Sequence, residues 1–454
     1  LTSITIPDSV LSIGNYAFDT CSGLTSITIP DSVLSIGNYA FASCTGLTTA
    51  TIGNSVESIG YNAFYNCSNS LNVTLNSASA NLNNAGSNFY NFVRQINISE
   101  GTTAISDYAF YYCSNVASIT IPDSVTTIGS YAFQNCTSLS SITIPDTVNT
   151  IGTNIFSDIS DLDVTLNTAS ASLYYTGIGS FVTEINIPAQ TTSIVDYAFV
   201  DCSKVISITI PDSVTSIGNN AFQNCSGLSS ITIPGNVELL GISAFQDCTN
   251  LFELVIGDSL RVIQSGAFYD CSNLVNITFG QNVNIINSNA FAGCSSLSQL
   301  SFNDYLYQID SSAFANCTLL RKVTFGDYLR YLPSDAFSGC NLLVEANFRG
   351  SPPVDSNPFQ YSPTTVYANI DATGWGENYS NRPVFRKDMS STVDTGDGST
   401  DNGDSSGTPA ATSAILDIYY STDLSTWSIL DTVEVENVPD GDMFMKAALT
   451  PPSE

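Results

Sequence analysis

A repeat with a period of 23 residues constrains this chain more than any other feature of its sequence. Residues 1–21 read LTSITIPDSVLSIGNYAFDTC, and residues 24–44 read LTSITIPDSVLSIGNYAFASC. Cysteine marks the phase in three blocks, which are Cys21, Cys44 and Cys67; Cys113 and Cys136; and Cys202, Cys225, Cys248, Cys271, Cys294, Cys317 and Cys340. A phenylalanine lies three positions before each cysteine. Such a chain is expected to form stacked units rather than the roughly three globular domains that its length would suggest.

The repeat covers 1–340 and predicts about 15 coils. Two stretches follow it poorly. One comes after Cys67 and contains VTLNSASA, and the other comes after Ile159 and contains VTLNTASA. Because the two stretches resemble each other and nearly keep the period, we expect divergent coil pairs with looser loops, not separate domains.

The unit 24–44 predicts its own local structure. Ile27-Thr28-Ile29 alternates apolar and polar residues with β-branched side chains, which predicts a strand. Pro30-Asp31 ends the strand, because proline lacks an N–H and aspartate favours turns. Gly37 is expected to permit a bend. Asn38-Tyr39-Ala40-Phe41 predicts a short helical turn with Asn38 as its N-cap.

One unit alone cannot bury its Leu, Ile, Val, Phe and Cys side chains, whereas stacked units can place each one on its equivalent in the next coil. The predicted fold class is therefore an α/β repeat solenoid of 23-residue coils. Its parallel β-sheet is expected on the concave face, and a small C-terminal β module is expected to follow.

The pattern LxxIxIPxxVxxIGxxAFxxC resembles the leucine-rich repeat of BspA-type bacterial and protist surface proteins, also called the Treponema-type repeat. The resemblance covers about 1–348. It implies a cell-surface or secreted protein that binds other proteins, host matrix or other cells. The family has no catalytic residues to transfer to this chain, and no cofactor is expected.

The composition excludes several classes of function. The chain has no histidine, so a His-based zinc site, a Ser–His–Asp triad and a Cys–His dyad are excluded. It carries 11 Lys and Arg against 41 Asp and Glu, which argues against nucleic-acid binding. The sequence contains no run of about 20 apolar residues, which a membrane-spanning helix would need, so no insertion into a membrane is predicted. We expect no enzymatic activity.

The cysteine column indicates reduced core thiols. All twelve cysteines occupy one phase beside phenylalanine, where a small buried apolar residue fits. The blocks hold three, two and seven cysteines, so pairing between neighbours would leave one unpaired in two blocks. Some disulfide bridges remain an alternative. The residues taken to represent this structural column are Phe41, Cys44, Phe222, Cys225, Phe268 and Cys271.

The outward positions of the strand form Ser and Thr columns that change along the chain. The column of Ser26 and Ser230 continues with Glu253, Asn276 and Gln299. Varied positions on a common frame indicate a specific protein site, so we favour the coils after residue 250. A solvated strand face is one alternative, and an ice-binding Thr ladder is a remote one.

The late coils also carry an unusual set of aromatic and basic residues. Tyr and Arg are enriched in binding hot spots. The set predicts a partner-binding patch, with local packing of the last coils as the alternative. The residues are Tyr305, Tyr307, Arg321, Lys322, Tyr328, Arg330 and Tyr331.

Aspartates recur at the turn after the strand, at Asp8, Asp31, Asp123, Asp146, Asp212, Asp258, Asp304 and Asp327. Turn formation explains them, since Asp is a preferred turn residue. Weak calcium binding is the alternative, although calcium needs six to eight ligands. No metal site is predicted from these residues.

The period stops after Cys340. Residues 341–388 contain TVYANIDATGWGENYSNRPV, which is similar to the segment that closes this family's repeats, and they predict a C-terminal cap. Residues 389–413 predict a flexible acidic linker. Residues 414–454 predict a small β module, which we expect to be incomplete, just as Leu1 lies inside a repeat.

These features together predict a non-enzymatic extracellular or cell-surface protein that mediates protein binding or adhesion. Its partner is expected to be a protein or another cell-surface ligand. An intracellular or structural scaffold is the alternative, favoured by the free cysteines. An ice- or calcium-binding solenoid is a remote one.

Overall fold

The computed structural model describes residues 1–77, 92–354, 358–359, 362–379 and 381–389, together with the backbone of two strands within 414–435. The chain divides into two compact units, Leu1–Ser391 and Thr392–Glu454. The predicted linker, 389–413, lies outside the described residues except for Met389.

The first unit consists of short strands joined by turns. In chain order, the strands of the whole chain are β1 (Ser12–Ile13), β2 (Ser26–Ile29), β3 (Ser35–Ile36), β4 (Thr49–Ile52), β5 (Ser58–Ile59), β6 (Asn72–Leu75), β7 (Val93–Ile96), β8 (Ala104–Ile105), β9 (Thr127–Ile128), β10 (Ser141–Ile144), β11 (Thr150–Ile151), β12 (Asp163–Leu166), β13 (Val182–Ile185), β14 (Ser193–Ile194), β15 (Ser216–Ile217), β16 (Ser230–Ile233), β17 (Leu239–Leu240), β18 (Glu253–Ile256), β19 (Val262–Ile263), β20 (Asn276–Thr278), β21 (Ile285–Ile286), β22 (Gln299–Ser301), β23 (Gln308–Ile309), β24 (Lys322–Phe325), β25 (Glu345–Phe348), β26 (Thr365–Asn369), β27 (Asn378–Tyr379), β28 (Arg382–Lys387), β29 (Ala414–Tyr420) and β30 (Ser428–Val435).

The predicted strand is present, and it stacks in parallel on its equivalents. β2 pairs with β4 so that Ser26 lies beside Thr49 and Ile27 beside Ala50. The apolar residues of β2 point inward and are buried, while its Ser and Thr are exposed, as the alternating pattern predicts. These long strands form four sheets, β2-β4-β6-β7, β10-β12-β13, β16-β18-β20 and β22-β24-β25-β26-β28-β27. The concavity of this face stays a prediction.

A second, two-residue strand follows the turn in most coils, and sequence reasoning did not identify it as a strand. Ser35 pairs with Ser12 on one side and with Ser58 on the other, and Ile36 fills the core below. These short strands also form four parallel sheets, β1-β3-β5, β8-β9-β11, β14-β15-β17 and β19-β21-β23. Most regular coils therefore add one long and one short strand to the stack, while those ending at Cys21, Cys136 and Cys225 add only the short one.

The predicted helical turn is wrong, and so is the α part of the predicted fold class. Residues 38–43 form turns in which Tyr39 and Ser43 have φ angles of 53° and 56°. This left-handed conformation prevents a continuous right-handed helix. The N–H of Phe41 donates to the carbonyl of Ala63 in the next coil at 2.7 Å, instead of to its own segment. Among the described residues, the single helix is the 3₁₀ turn Gly179–Phe181.

Asn38 and Gly37 therefore act differently from the prediction. The Asn38 Oδ1 accepts a hydrogen bond from the Tyr61 N–H of the next coil at 2.8 Å, so it joins coils rather than capping a helix. Gly37 is needed because coils approach closely there: a Cβ on Gly37 would lie 2.6 Å from the Asn15 nitrogen. The φ angle of Gly37 is not positive, so the close approach of the coils, rather than a need for backbone freedom, explains why this position is a glycine.

Phenylalanine and cysteine columns fill the core as predicted. The Phe41 and Phe64 rings stack at 5.1 Å between centroids, and the Phe222 and Phe245 rings at 4.7 Å. Complete burial of one such side chain contributes about 1.5–3 kcal/mol. The six residues taken to represent the column, Phe41, Cys44, Phe222, Cys225, Phe268 and Cys271, are all buried.

All twelve cysteines are free, and all except Cys21 are buried. The thiol of Cys67 donates to the Phe41 carbonyl of the preceding coil at 3.2 Å, and the thiol of Cys225 donates to the Phe199 carbonyl at 3.2 Å. Burial raises the pKa of Cys44 to about 11 and the pKa of Cys136 to about 12. The thiols are therefore held neutral, which matches the expectation of core residues.

Both divergent stretches remain in the stack of long strands. β6 pairs with β7 and β12 with β13, each with one register shift. The short-strand sheets stop at these places, at β5 and again at β11. Residues 78–91 of the first stretch lie outside the described residues. The second stretch buries Ala169, Ala171 and Leu173 instead of a regular coil's apolar set.

The parallel sheet continues beyond Cys340. β25, β26 and β28 extend it, and β27 returns antiparallel on β28. Trp375 packs on Phe348 with 5.0 Å between ring centroids, and its Nε1 donates to the Gly350 carbonyl at 2.8 Å. These contacts support the predicted cap, 341–388, which stays a prediction.

In the second unit, β29 and β30 form an antiparallel pair. This pair alone does not confirm the predicted β module. No helix among the described residues is long and apolar enough to cross a membrane.

Candidate functional site

The outward column of the long strands changes character between β16 and β18. Ser230 lies beside Glu253, and Glu253 lies beside Asn276, so the sequence column is a row of true neighbours. Farther along, Gln299, Lys322 and Glu345 lie side by side on β22, β24 and β25. In the regular coils, Ser and Thr are thus replaced by charged and amide side chains, which the long strands of the divergent stretches already carry at Asn72, Asp163 and Glu184.

The short strands change at the same place, and sequence reasoning missed this second column. Ser193 and Ser216 lie beside Leu239, whose side chain is 65% exposed. The column then runs through Val262, Ile285 and Gln308 to Tyr331 and Val354. The signal was available in the sequence, because these residues share one phase of the 23-residue repeat.

The predicted tyrosines form two exposed pairs. The rings of Tyr305 and Tyr328 stack at 6.1 Å with an interplanar angle of 12°. The rings of Tyr307 and Tyr331 meet edge to face at 5.4 Å. The hydrogen bond with Tyr331 raises the pKa of Tyr307. All four side chains are exposed, so their rings are available to a partner.

Tyr305 and Tyr328 occupy a turn position that has a structural role elsewhere. The Ser32 Oγ at this position donates to the Val10 carbonyl at 2.8 Å, and the Ser213 Oγ donates to the Thr191 carbonyl at 2.7 Å. A tyrosine cannot reproduce this short bond between coils. Where tyrosine replaces serine at this position, the coil loses a structural hydrogen bond and gains exposed aromatic surface.

The basic residues of the predicted patch occupy two different positions in the coil. Arg330 lies beside Tyr307, and its N–H donates to the Tyr307 carbonyl at 2.9 Å. Lys322 is the first residue of β24 and Arg321 lies just before it, whereas the tyrosines follow the long strands. The structure thus brings Arg330 and the tyrosines together and places Arg321 and Lys322 at the opposite end of the strand.

Lys322 belongs to a small ionic network. The carboxylate of Glu345 lies 3.5 Å from the Lys322 Nζ and 3.6 Å from the Lys387 Nζ. Burial tends to raise the pKa of Glu345, but the Asn347 hydrogen bond and the two lysines outweigh it and lower that pKa. Lys387 also lies over the Tyr367 ring at 5.6 Å. These half-exposed pairs set the polar character of the last strands.

The aspartate column serves the turns. The Asp31 Oδ1 accepts from the Asn54 N–H at 2.8 Å, and the Asp258 Oδ1 accepts from the Gln281 N–H at 2.8 Å. Each carboxylate thus links its own turn to the next coil. In the described part of the chain, no group of three or more Cys, Asp or Glu residues is arranged to hold a metal ion.

A family model of the BspA type leucine-rich repeat region, in six copies, matches residues 1–92, 87–182, 170–296 and 238–366. No curated protein sequence matches the chain significantly.

Several solved structures are similar to the chain. A leucine-rich repeat protein from Bacteroides ovatus is 23% identical over 83% of this chain and 88% of that chain, with a TM-score of 0.48. A leucine-rich cell surface protein from Faecalibacterium prausnitzii is 25% identical over 78% of this chain and 90% of that chain, with a TM-score of 0.33. The pneumococcal vaccine antigen PcpA is 19% identical over 86% of this chain and 88% of that chain, with a TM-score of 0.35.

Proposed function

Because the chain belongs to the BspA-type leucine-rich repeat family, we propose that it is a non-enzymatic binding protein. It holds another protein on the outward columns of its late coils, at a cell surface or outside the cell. The partner is a protein or a cell-surface ligand, and no cofactor takes part.

One observation carries this proposal. In the regular coils, both outward columns change from small Ser and Thr residues to large and varied ones at the same place, near Leu239 and Glu253. The core columns do not change there, since Phe222, Phe245 and Phe268 remain fully buried. A change restricted to the surface is expected where binding, rather than folding, determines the residues.

The chemistry of these columns suits a protein partner. Exposed Tyr305, Tyr307, Tyr328 and Tyr331 offer large rings that lose little conformational entropy on binding, and Arg330 beside them offers a forked donor. Leu239 and Val354 add exposed apolar area. We propose the tyrosine pairs as the centre of the contact and the Lys322 network as part of its polar rim.

Location and binding are tested separately. An antibody raised against 1–388 is applied to intact, unpermeabilised source cells. Labelling supports a surface position. Labelling that requires permeabilisation contradicts it and favours the intracellular scaffold, the alternative that the buried free thiols support.

Binding is tested with paired variants of the full chain. Tyr305→Ser and Tyr328→Ser together restore the residue that other coils carry at this turn, so the fold is kept. The matched control is Leu11→Ser with Leu34→Ser, which removes exposed apolar side chains from the early coils. We expect retention on intact cells and on extracellular-matrix proteins to fall about tenfold for the first variant. If both variants were retained equally, the late coils would be excluded as the binding surface.

A further inference from the structure

A groove of about 920 Å³ runs along the short-strand side of the coils that follow the second divergent pair. Ser170 and Ser172 lie at one end of it, and Gln264 lies at the other. Between them the groove follows the β14-β15-β17 sheet. Its size is in the range of about 300–1,000 Å³ that is typical of ligand sites.

The floor of the groove is formed by the short strands and the turns after them, whose apolar side chains face the core. Ile194, Ile217 and Leu240 are stacked below it and are 2–3% exposed. Gly218 and Gly241 give it no side chains, and a Cβ on Gly218 would lie 2.5 Å from the Asp196 nitrogen. The groove is therefore kept open by a glycine column that tight packing of the coils requires.

The rim is polar and held in position by hydrogen bonds between coils. The Asp196 Oδ1 accepts from the Asn219 N–H at 2.7 Å, and the Asn219 Oδ1 accepts from the Ile242 N–H at 2.8 Å. Ser193 and Ser216 lie beside each other on the opposite rim. The Asp196 carboxylate and the Asn219 side-chain amide are thus held in place by contacts between coils.

A tyrosine cluster stands at the same site. Tyr197 lines the groove and stacks on Tyr174 with 4.4 Å between ring centroids. The Tyr174 and Tyr175 hydroxyls are hydrogen-bonded at 2.9 Å, and Tyr175 is 76% exposed. This cluster adds aromatic surface and phenol hydroxyls next to the polar rim.

The composition of the lining restricts the ligand. Asp196 is its single carboxylate, and its residues include no Lys or Arg, so the lining offers no positive charge to an anionic ligand. The backbone is already paired, since the N–H of Gly218 donates to the Ile194 carbonyl at 2.9 Å and that of Gly241 to the Ile217 carbonyl at 2.8 Å. No free strand edge is offered at these residues to an extended peptide.

We propose that this groove binds a neutral oligosaccharide. A sugar chain has flat C–H faces that fit the tyrosine surface and the exposed Leu239 and Ile242, and rings of hydroxyls that both donate and accept. The rim supplies partners of both kinds from Ser, Asn and Asp. Leu239 and Ile242 lie at the far end of the groove. The site adjoins the late-coil columns at Leu239 and shares no other residue with those proposed above.

The test uses the full chain and neutral hexasaccharides of glucose, mannose, galactose and N-acetylglucosamine. Binding is measured by isothermal titration calorimetry. We expect at least one of them to bind with a Kd below about 1 mM. Failure of all four to bind at that level overturns the proposal, whatever the outcome for protein binding.

Paired variants locate the binding. Tyr197→Ala and Ser216→Leu are expected to weaken it about tenfold, through loss of aromatic surface and through filling of the groove. Leucine is compatible with this fold position, because Leu239 occupies it in the next coil. Tyr108→Ala and Ser35→Leu are the controls: they change the same columns outside the groove, where Tyr108 stacks on Tyr131 at 5.0 Å. A control that loses affinity as strongly as its partner contradicts the assignment.

Discussion

The early coils around Phe41 and the late coils around Phe268 have the same interior and different exteriors. The Phe41 and Phe64 rings stack at 5.1 Å and 13°, and the Phe268 and Phe291 rings stack at 5.1 Å and 8°. Outside, Ser26 and Thr49 of the early coils correspond to Glu253 and Asn276 of the late ones.

The difference indicates that the residues that determine folding and those available for recognition occupy separate columns of the repeat. An inward residue contacts its equivalents on both sides, so a change in one coil disturbs three. An outward residue contacts solvent and can change alone. Four predictions test how complete this separation is, from the largest expected effect to the smallest.

Alkaline pH should unfold both regions, because both contain the thiol column. The pKa of Cys44 is about 11 and that of Cys67 about 12, against an ordinary value of 9.0. The folded state therefore holds protons that the unfolded chain loses. Stability is complete below pH 9 and is lost as the pH rises through about 11 to 12. Thermal melting between pH 7 and 11 measures this.

A triple variant separates the thiols from other groups that titrate in this range. Cys248→Ala, Cys294→Ala and Cys317→Ala together should lower the melting temperature at pH 7 by removing packed atoms. They should also reduce the further loss between pH 9 and 11. An unchanged pH dependence would assign the alkaline transition to tyrosines and lysines.

Single core truncations should cost the same in the two regions. Phe41→Ala and Phe291→Ala each remove a fully buried ring, and each is expected to destabilise by about 3–5 kcal/mol. Urea unfolding measures the free energy, with Thr28→Ala on the exposed strand face as the control. Costs that differ by more than about 2 kcal/mol would show that the interiors are less alike than their geometry.

The glycine column should separate the regions. Gly37→Ala is expected to cost about 1–3 kcal/mol, because its Cβ would meet the backbone of Asn15. Asn287 occupies the same column in a late coil, where its Nδ2 donates to the Gln264 Oε1 at 2.9 Å. Asn287→Ala should cost only about 0.5–1.5 kcal/mol, the value of one hydrogen bond. The denaturant midpoints of the two variants show which one is destabilised more. A larger loss for Asn287→Ala than for Gly37→Ala would refute the close-approach explanation.

The smallest effect on stability is expected at the proposed binding surface. Tyr305→Ser with Tyr328→Ser should change the free energy of unfolding by less than about 0.5 kcal/mol, because both rings are exposed. Calorimetric melting of the full chain measures it. A large loss would mean that the tyrosine pair packs the last coils, which was the alternative interpretation of the patch.

The sequence predicted the parts of the fold that depend on side-chain type alone. The alternation at Ile27 and Ile29 predicted the long strand, and the shared phase of Phe and Cys predicted the core. The turn at Tyr39 was mispredicted, because Asn-Tyr-Ala-Phe is compatible with a helix and only contact with the next coil selects the left-handed conformation. The groove was not predicted, because it depends on where the short-strand sheets stop near Ser170.

The candidate site was predicted in part for a related reason. The tyrosines and Arg330 were found because their residue types are unusual. The column from Leu239 to Val354 was missed because the short strand that aligns it has only two residues in each coil and was not recognised as a strand, although its residues share one phase of the repeat. Pairing of Ser216 with Leu239 makes that column visible.

The direction of the hydrogen bonds between coils has a mechanical consequence. Bonds such as that from Phe41 N–H to the Ala63 carbonyl run along the axis of stacking. A pulling force on the two ends of the first unit would load these bonds head-on and one coil at a time, instead of shearing many together. The stack would extend by peeling successive coils at nearly constant tension, so it would yield gradually under load instead of failing at once.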